Sequence, residues 1–379
     1  MEYAFFIASA LVSLLVNARG WFSRRPVRKI LVFKLDHLGD VVTATPALSH
    51  LRALHPEAEI TGVIGPWARP LMKAHPALDR ILIYASPEYI RGAPLRVAPN
   101  LSTVLRSRSY DLIVGLRDDR ASLAYAARSG AGKRVDRGTV RIRMKIKRWA
   151  ARLGFDPGFI PTHEVETNLC IVGHCEPPGS GVRPSLPIAG QALEWFQRER
   201  PGLVGDVETF AVIHPGAASP LRKWPRDRFV QVARWLRDGR GLGVIITGSR
   251  EEAEETESIA EEVGIGAASV ARSSDLEKTV AVISQASALV SVDTGIMHVG
   301  TAVGTPVVAL IGPQDPRRFG PFGPDHIVLY GGLPCSPCSQ KDCERGNPEC
   351  MEAISPDDVI AALTEILDRL PEGHPPPFS

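Results

Sequence analysis

The sequence predicts an α/β protein made of two doubly wound parallel-sheet domains. Three observations carry that reading. Short β-branched runs alternate with helical patterns through both halves of the chain, which is the rhythm of βαβ units. A Pro- and Gly-rich stretch, PPGSGVRPSLP at 177–187, breaks that rhythm near the middle. The length of 379 residues exceeds one ordinary domain of ~100–200 residues.

In the first half, strands are expected at 29–33, 60–64, 80–84 and 111–115, with helices around 41–54, 67–74, 101–107 and 163–172. After the break, strands at 209–214, 243–247, 268–271, 288–292 and 306–311 alternate with helices at 226–236, 251–263, 276–286 and 296–303. The expected organisation is an N-terminal segment 1–28, a domain 29–176, a linker 177–188, a second domain 189–370 and a Pro-rich tail 371–379. Both sheets place binding crevices at the C-terminal ends of their strands.

Composition excludes several classes. Hydrophobic residues at 44% and charged residues at 23% rule out wholesale disorder. The net charge of +2 excludes a generic nucleic-acid binder. Six Cys are too few for a disulfide scaffold, and no apolar run reaches the ~20 residues of a comfortable membrane span.

Two local asymmetries remain. Residues 4–16, AFFIASALVSLLV, carry no charge and are followed by Arg19, Arg24, Arg25, Arg28 and Lys29. A cleavable signal peptide has the opposite order. The segment reads as a short anchor or interfacial helix, the alternative being a loose extension. A second basic block at 133–152 has one acid, Asp136. Within it Ile142, Ile146, Trp149, Ala150 and Leu153 recur at helical spacing. This is either a solvated domain helix or a surface for an anionic membrane.

Three loops hold the chemistry. The first strand runs into LDHLGD, where Gly39 permits a close backbone approach and Asp40 stands at a helix N-terminus. That position is expected to lower the carboxyl pKa, either for a helix cap or for a base that accepts a proton from a hydroxyl. The second loop, HPGAASPLRKWP, has the small residues Gly216 and Ala217, the hydroxyl of Ser219 and the cation Lys223, with Pro225 expected at helix position N1. The third, SVDTGIMHVG, offers Asp293 to sugar hydroxyls, and Thr294 and the helix N-terminus at Gly295 to a diphosphate. His298 follows one turn on. The chain has no D-x-D, G-x-S-x-G or H-E-x-x-H, and no G-x-G-x-x-G after the first strand.

Together KILVFKLDHLGDVVTATPAL, YDLIVGLRDDRAS, FAVIHPGAASPLRKWP, SVDTGIMHVGTAVGTPVVALIGPQDP and CSPCSQKDCERGNPECM resemble glycosyltransferase family 9, the lipopolysaccharide core heptosyltransferases. The resemblance implies a GT-B fold, two Rossmann-like domains facing a central cleft. It implies an inverting transfer that requires no cofactor, from a nucleotide sugar such as ADP-heptose to a lipid-linked or oligosaccharide acceptor. Asp40 matches the family's base, and Lys223 its phosphate-contacting lysine. Asp293, Thr294, Gly295 and His298 match its donor element, Gly39, Gly216 and Ser219 are assigned to donor binding with them, and Arg117, Asp118 and Arg120 fall in the acceptor-side piece. Gly115 and the LDH before LGD depart from the family pattern on that same side. The implied location is the cytoplasmic face of a bacterial inner membrane, with an anionic lipid surface as a partner and no nucleic acid. The alternatives are a nucleotide-sugar epimerase of GT-B-like fold and a non-catalytic glycan-binding protein.

Cys335, Cys338, Cys343 and Cys350 are spaced C-x2-C-x4-C-x6-C, which suits either a structural zinc or reduced or redox-labile thiols. Cys170 and Cys175 read as core residues.

Overall fold

β1 (Lys29–Lys34), KILVFK, begins the first sheet because its four central apolar residues are buried on both faces, the pattern of an interior parallel strand. The computed structural model describes residues 26–85, 109–117, 125, 131 and 133–370. The chain divides into two units, Met1–Val182 and Arg183–Ser379.

In the first unit, β1 leads through α1 (Leu38–Val42) and α2 (Thr45–Leu54) to β2 (Glu59–Ile64), then through α3 (Arg69–Met72) to β3 (Arg80–Ile83). β4 (Leu112–Gly115) and β5 (Lys133–Asp136) complete a parallel sheet of order β3-β2-β1-β4-β5. α4 (Arg137–Arg152) and α5 (Glu164–Ile171) follow. The continuous helix expected at 41–54 is two helices. Pro46 at the start of α2 has no N–H and crowds the carbonyl four residues back, so the chain breaks at Thr43–Ala44. β5 was not expected, because its Lys133-Arg134-Val135-Asp136 reads as surface. Arg134 and Asp136 are instead buried, 2.7 Å apart. The helix expected at 101–107, the N-terminal segment before Pro26 and the tail lie outside the described residues.

Cys170 is buried in the core as expected, and it forms a disulfide with Cys175 that the sequence reading did not anticipate. Gly173, at φ +103°, turns the chain back at the end of α5, and the His174 N–H donates to Leu169 O at 3.0 Å. That reversal brings the two Cα atoms within 4.1 Å.

The second unit opens with α6 (Gly190–Val204), which the sequence reading missed. Its two glycines and internal Pro201 weaken the local helix signal. β6 (Phe210–His214), α7 (Arg226–Arg234), β7 (Gly243–Ile246), α8 (Ala253–Val263), β8 (Ala267–Ser269), α9 (Leu276–Ser284), β9 (Ala288–Val292), α10 (Gly295–Ala302) and β10 (Val307–Ile311) then alternate. α11 (Pro316–Phe319), β11 (Ile327–Tyr330), α12 (Glu349–Glu352) and α13 (Pro356–Arg369) close the unit. The parallel sheet has the order β11-β10-β9-β6-β7-β8. β6, β7, β9 and β10 are each buried along their whole length. Full burial of each Val, Ile or Leu on them contributes about 1.5–3 kcal/mol.

In each unit the order reverses beside the first strand: between β1 and β4 in one, between β6 and β9 in the other. Doubly wound sheets bind ligands outside the strand ends at such points.

Candidate functional site

At the first unit's switch point, the last residues of β1 turn charged. Phe33 and Leu35 enter the core, while Lys34 and Asp36 share the other side, as the two-residue period requires. Lys34 Nζ lies 3.0 Å from Asp36 Oδ2, with both side chains buried. Arg117, just beyond β4, approaches the same oxygen at 3.2 Å and Asp40 Oδ2 at 4.0 Å. Asp36 Oδ1 is buried without a hydrogen-bond partner among the described residues.

Asp40 is the third residue of α1, and its side chain is 19% exposed. Burial, and after it the Asp36 carboxylate, push its carboxyl above the usual range. Lys34 and Arg117 pull the other way. This overturns the expected lowering. A five-residue helix offers a weak dipole, and desolvation beside a second acid outweighs it. A carboxylate with a raised pKa is a stronger base that is still open on one side. Gly39 lies beside it on α1, in the first unit, whereas the other residues matched to donor binding lie in the second. The nearby Arg137–Glu164 pair, 2.7 Å apart and buried, ties the start of α4 to α5. Asp118 and Arg120 lie outside the described residues.

At the second unit's switch point, β6 ends at His214, whose Nδ1 is 3.0 Å from Thr247 Oγ1 beyond β7. Burial lowers the His214 pKa to about 4, so the ring is neutral at pH 7 and pins two strand ends together. Gly216 follows. A Cβ there would stand 2.4 Å from Glu252 Oε1. Glu252 is itself held, since its Oε2 accepts the Ser249 N–H at 2.8 Å, so the loop needs glycine at this position. Ser219 then precedes a 3-10 turn, Pro220–Arg222.

Arg222 joins the second and third loops. Its Nη1 is 3.3 Å from both Asp293 Oδ2 and Asp293 O, and its Nε donates to Gln340 Oε1 at 2.6 Å. Burial raises the Asp293 pKa, and Arg222 opposes that rise. Lys223 Nζ lies 2.5 Å from Glu255 Oε2. Trp224 is buried and donates to Ile354 O at 2.9 Å, which anchors the loop. Pro225 occupies the N-cap of α7, one residue before its expected place at N1.

Beyond β9, Thr294 is the N-cap of α10 and its side chain makes no capping bond, and the helix N-terminus lies directly after the C-terminal end of β9. Gly295 opens the helix and His298, buried, completes its first turn. α10 is pressed against the sheet: a Cβ on Gly300 would come within 2.7 Å of Leu289 and 2.8 Å of Val307. The structure thus brings Gly216, Ser219, Lys223, Asp293, Thr294, Gly295 and His298 to one switch point.

Sequence reasoning missed Lys34, Asp36, Arg222 and Glu252. The signal for the first two was a pair of charges two apart at the end of an apolar strand. Arg222 stood inside the quoted PLRKWP, eclipsed by its neighbour.

Cys335, Cys338, Cys343 and Cys350 line one pocket of about 260 Å3 together with Leu221. The four thiols suit zinc chemically, and among the described residues no group of three or more His, Cys, Asp or Glu is set to hold a metal ion. Cys343 Sγ instead donates to Asn347 O at 2.9 Å.

A family model described as glycosyltransferase family 9 (heptosyltransferase) matches residues 101–348. The chain is 24% identical over 376 residues to lipopolysaccharide heptosyltransferase 1 of Pseudomonas aeruginosa, covering 89% of this chain and 98% of that protein. It is also 24% identical over 354 residues to lipopolysaccharide heptosyltransferase 3 of Escherichia coli K12, covering 89% and 96%. Among solved structures, a glycosyl transferase family 9 protein of Veillonella parvula shares the fold at a TM-score of 0.70 and 23% identity, covering 90% and 98%. The E. coli ADP-heptose lps heptosyltransferase II does so at 0.68 and 22%, covering 90% and 99%.

Proposed function

This chain belongs to glycosyltransferase family 9, and from that premise we propose that it moves heptose from ADP-heptose to a lipopolysaccharide core or related lipid-linked acceptor, inverting C1. The observation that carries the nucleotide-sugar reading is the N-terminus of α10 at the second unit's switch point, with Arg222 held against Asp293 just before Thr294 and Lys223 next to Arg222 in the loop after β6. Donors and cations gathered there suit a diphosphate. The heptose and the acceptor come from the names of the relatives, which are lipopolysaccharide heptosyltransferases.

In the proposed mechanism Asp40 accepts the proton of the acceptor hydroxyl as its oxygen bonds to C1. The bond from C1 to the phosphate oxygen breaks, and ADP leaves with the electron pair. Arg222, Lys223 and the N–H groups of α10 stabilise the charge that grows on that oxygen. Asp36, fully buried, holds Lys34 and Arg117 beside Asp40 and keeps a second negative charge near the base. An epimerase needs no acceptor-side base and a glycan-binding protein needs no leaving-group stabilisation, so the family's transferase reading stands over both.

The reading assigns no metal to the transfer. A structural zinc at Cys335, Cys338, Cys343 and Cys350 is proposed on donor set and spacing alone. We place the protein peripherally at the cytoplasmic face of the inner membrane, where a lipid-linked acceptor is presented. No helix among the described residues is long and apolar enough to cross a membrane.

Thermal unfolding tests these assignments together. A ligand at 100 Kd that binds only the folded state adds about 2.7 kcal/mol. ADP-heptose is expected to raise Tm, with EDTA present or absent, and UDP-N-acetylglucosamine is not. EDTA alone lowers Tm only if the cysteines hold zinc. Protection that disappears with EDTA and returns with Mg2+ would overturn the metal-free reading.

A further inference from the structure

α4 turns its apolar stripe away from the protein. At ~100° per residue, Ile142, Ile146, Trp149 and Leu153 fall within about 60° of arc. The residues that bury this helix, Arg137, Gly138 and Met144, include one large apolar side chain, Met144, about 160° from that stripe's centre or more. Ile146 is 61% exposed, Trp149 62%, Leu153 55%, and Phe155 just beyond the helix 66%. Five of the ten large exposed apolar side chains among the described residues lie within 142–155. A folded protein ordinarily packs such a stripe inward, and a contiguous exposed one marks an interaction surface.

The flanks identify the partner. Arg141, Lys145, Arg148 and Arg152 border the stripe on one side and Arg143 on the other, and residues 137–152 contain no acid. The first carboxylates to either side in the sequence are engaged locally: Asp136 accepts from Thr139 N at 2.9 Å and pairs with Arg134, and Asp156 accepts from Gly158 N at 2.8 Å. An aromatic and aliphatic ridge between cationic banks matches an anionic bilayer, with the ridge at the acyl boundary and the long Arg and Lys stems reaching to the headgroups.

We infer that α4 and Phe155 form a membrane-docking surface that seats the first unit on an anionic lipid bilayer. This surface begins at the site itself. Asp136, which starts α4, pairs in register with Gly115 at the strand end that leads to Arg117, and Arg137 binds Glu164 beside Asp40. The helix rises ~1.5 Å per residue, so Trp149 stands about 18 Å along it from Arg137. The inference rests on the proposed lipid-linked acceptor for its purpose, since docking there holds the base at a fixed depth over the membrane. The binding itself does not depend on that reading.

The test is flotation of the full chain with vesicles of phosphatidylcholine containing phosphatidylglycerol, without nucleotide sugar. Ile146→Asp with Trp149→Asp is expected to weaken partitioning at least about tenfold while Tm stays unchanged, because both side chains are solvated in the folded protein. Arg141, Arg143, Lys145 and Arg148→Gln should weaken it most at low salt, and less where salt screens the attraction. A chain lacking residues 1–25 is expected to retain the α4-dependent part of the binding. Transfer to a short water-soluble acceptor should be unaffected by the Asp pair, so loss of activity in the parent would bear on the enzymatic reading alone. Equal vesicle binding by the parent and the Asp pair overturns the inference. So does a parent dimer that the Asp pair converts to monomer with no anionic-lipid binding by either, which would assign the ridge to a second copy of the chain.

Discussion

Asp40→Asn is expected to lower kcat by about 10²–10⁴ while the folded protein survives intact. Asparagine fills the same space but cannot take the acceptor's proton. Stability should move the other way from activity. The folded Asp40 carboxyl sits above its usual pKa because burial and Asp36 disfavour its charge. A group raised in this way contributes stability below its unfolded pKa and loses that contribution as pH rises through the folded one. At neutral pH the neutral amide therefore matches or exceeds the parent in Tm, and its advantage shrinks in acid. In the parent, kcat/KM should fall on the acid side as Asp40 protonates, with the limb above the ordinary carboxylate range, and the variant should lack that limb. Near-parental turnover in Asp40→Asn would leave the residue with no role in proton transfer.

Lys223→Ala carries the second large effect, a fall in kcat of about 10²–10³, the usual cost of removing one fixed group that meets developing charge. Binding of the donor should weaken less than turnover, because charge on the leaving oxygen is greatest in the transition state. Glu255, which holds the ammonium in this structure, provides the control. Glu255→Gln loosens that hold and should leave transfer equal or faster. If Lys223→Ala stays within about threefold of the parent, the lysine serves only its partner on α8, and Arg222 alone faces the diphosphate.

How far the sequence could be read depended on the range of the interaction. The apolar runs of β1, β6, β9 and β10 and the turn residues after them are local signals, and so both sheets and the loops at their C-terminal strand ends were legible, whereas the strand order that sets the switch points was not. Asp40, Lys223 and Asp293 stood out because each follows a strand at a small-residue turn. The Arg222–Asp293 pair joins positions 71 residues apart and the Arg117–Asp36 pair 81 apart, and no local spacing announces either. The sign of the Asp40 shift was misread for the same reason: the helix start is local, whereas the desolvation and the Asp36 charge depend on the packed strand ends. β5 escaped because its charged residues are buried as a pair. The apolar spacing of α4 was visible, but which side of the helix met the protein was not. Cys170 and Cys175 hid their bond because the reversal at Gly173 is a backbone event.

The account is tested most directly by incubating the purified full chain with ADP-heptose and a heptose-deficient lipopolysaccharide acceptor in EDTA, then analysing the glycolipid by mass spectrometry and the free nucleotide by chromatography. The predicted result is an acceptor heavier by one heptosyl residue, joined with inverted configuration at C1, and one ADP released per product. An unchanged acceptor, with the sugar isomerised or the nucleotide sugar left intact, would contradict it.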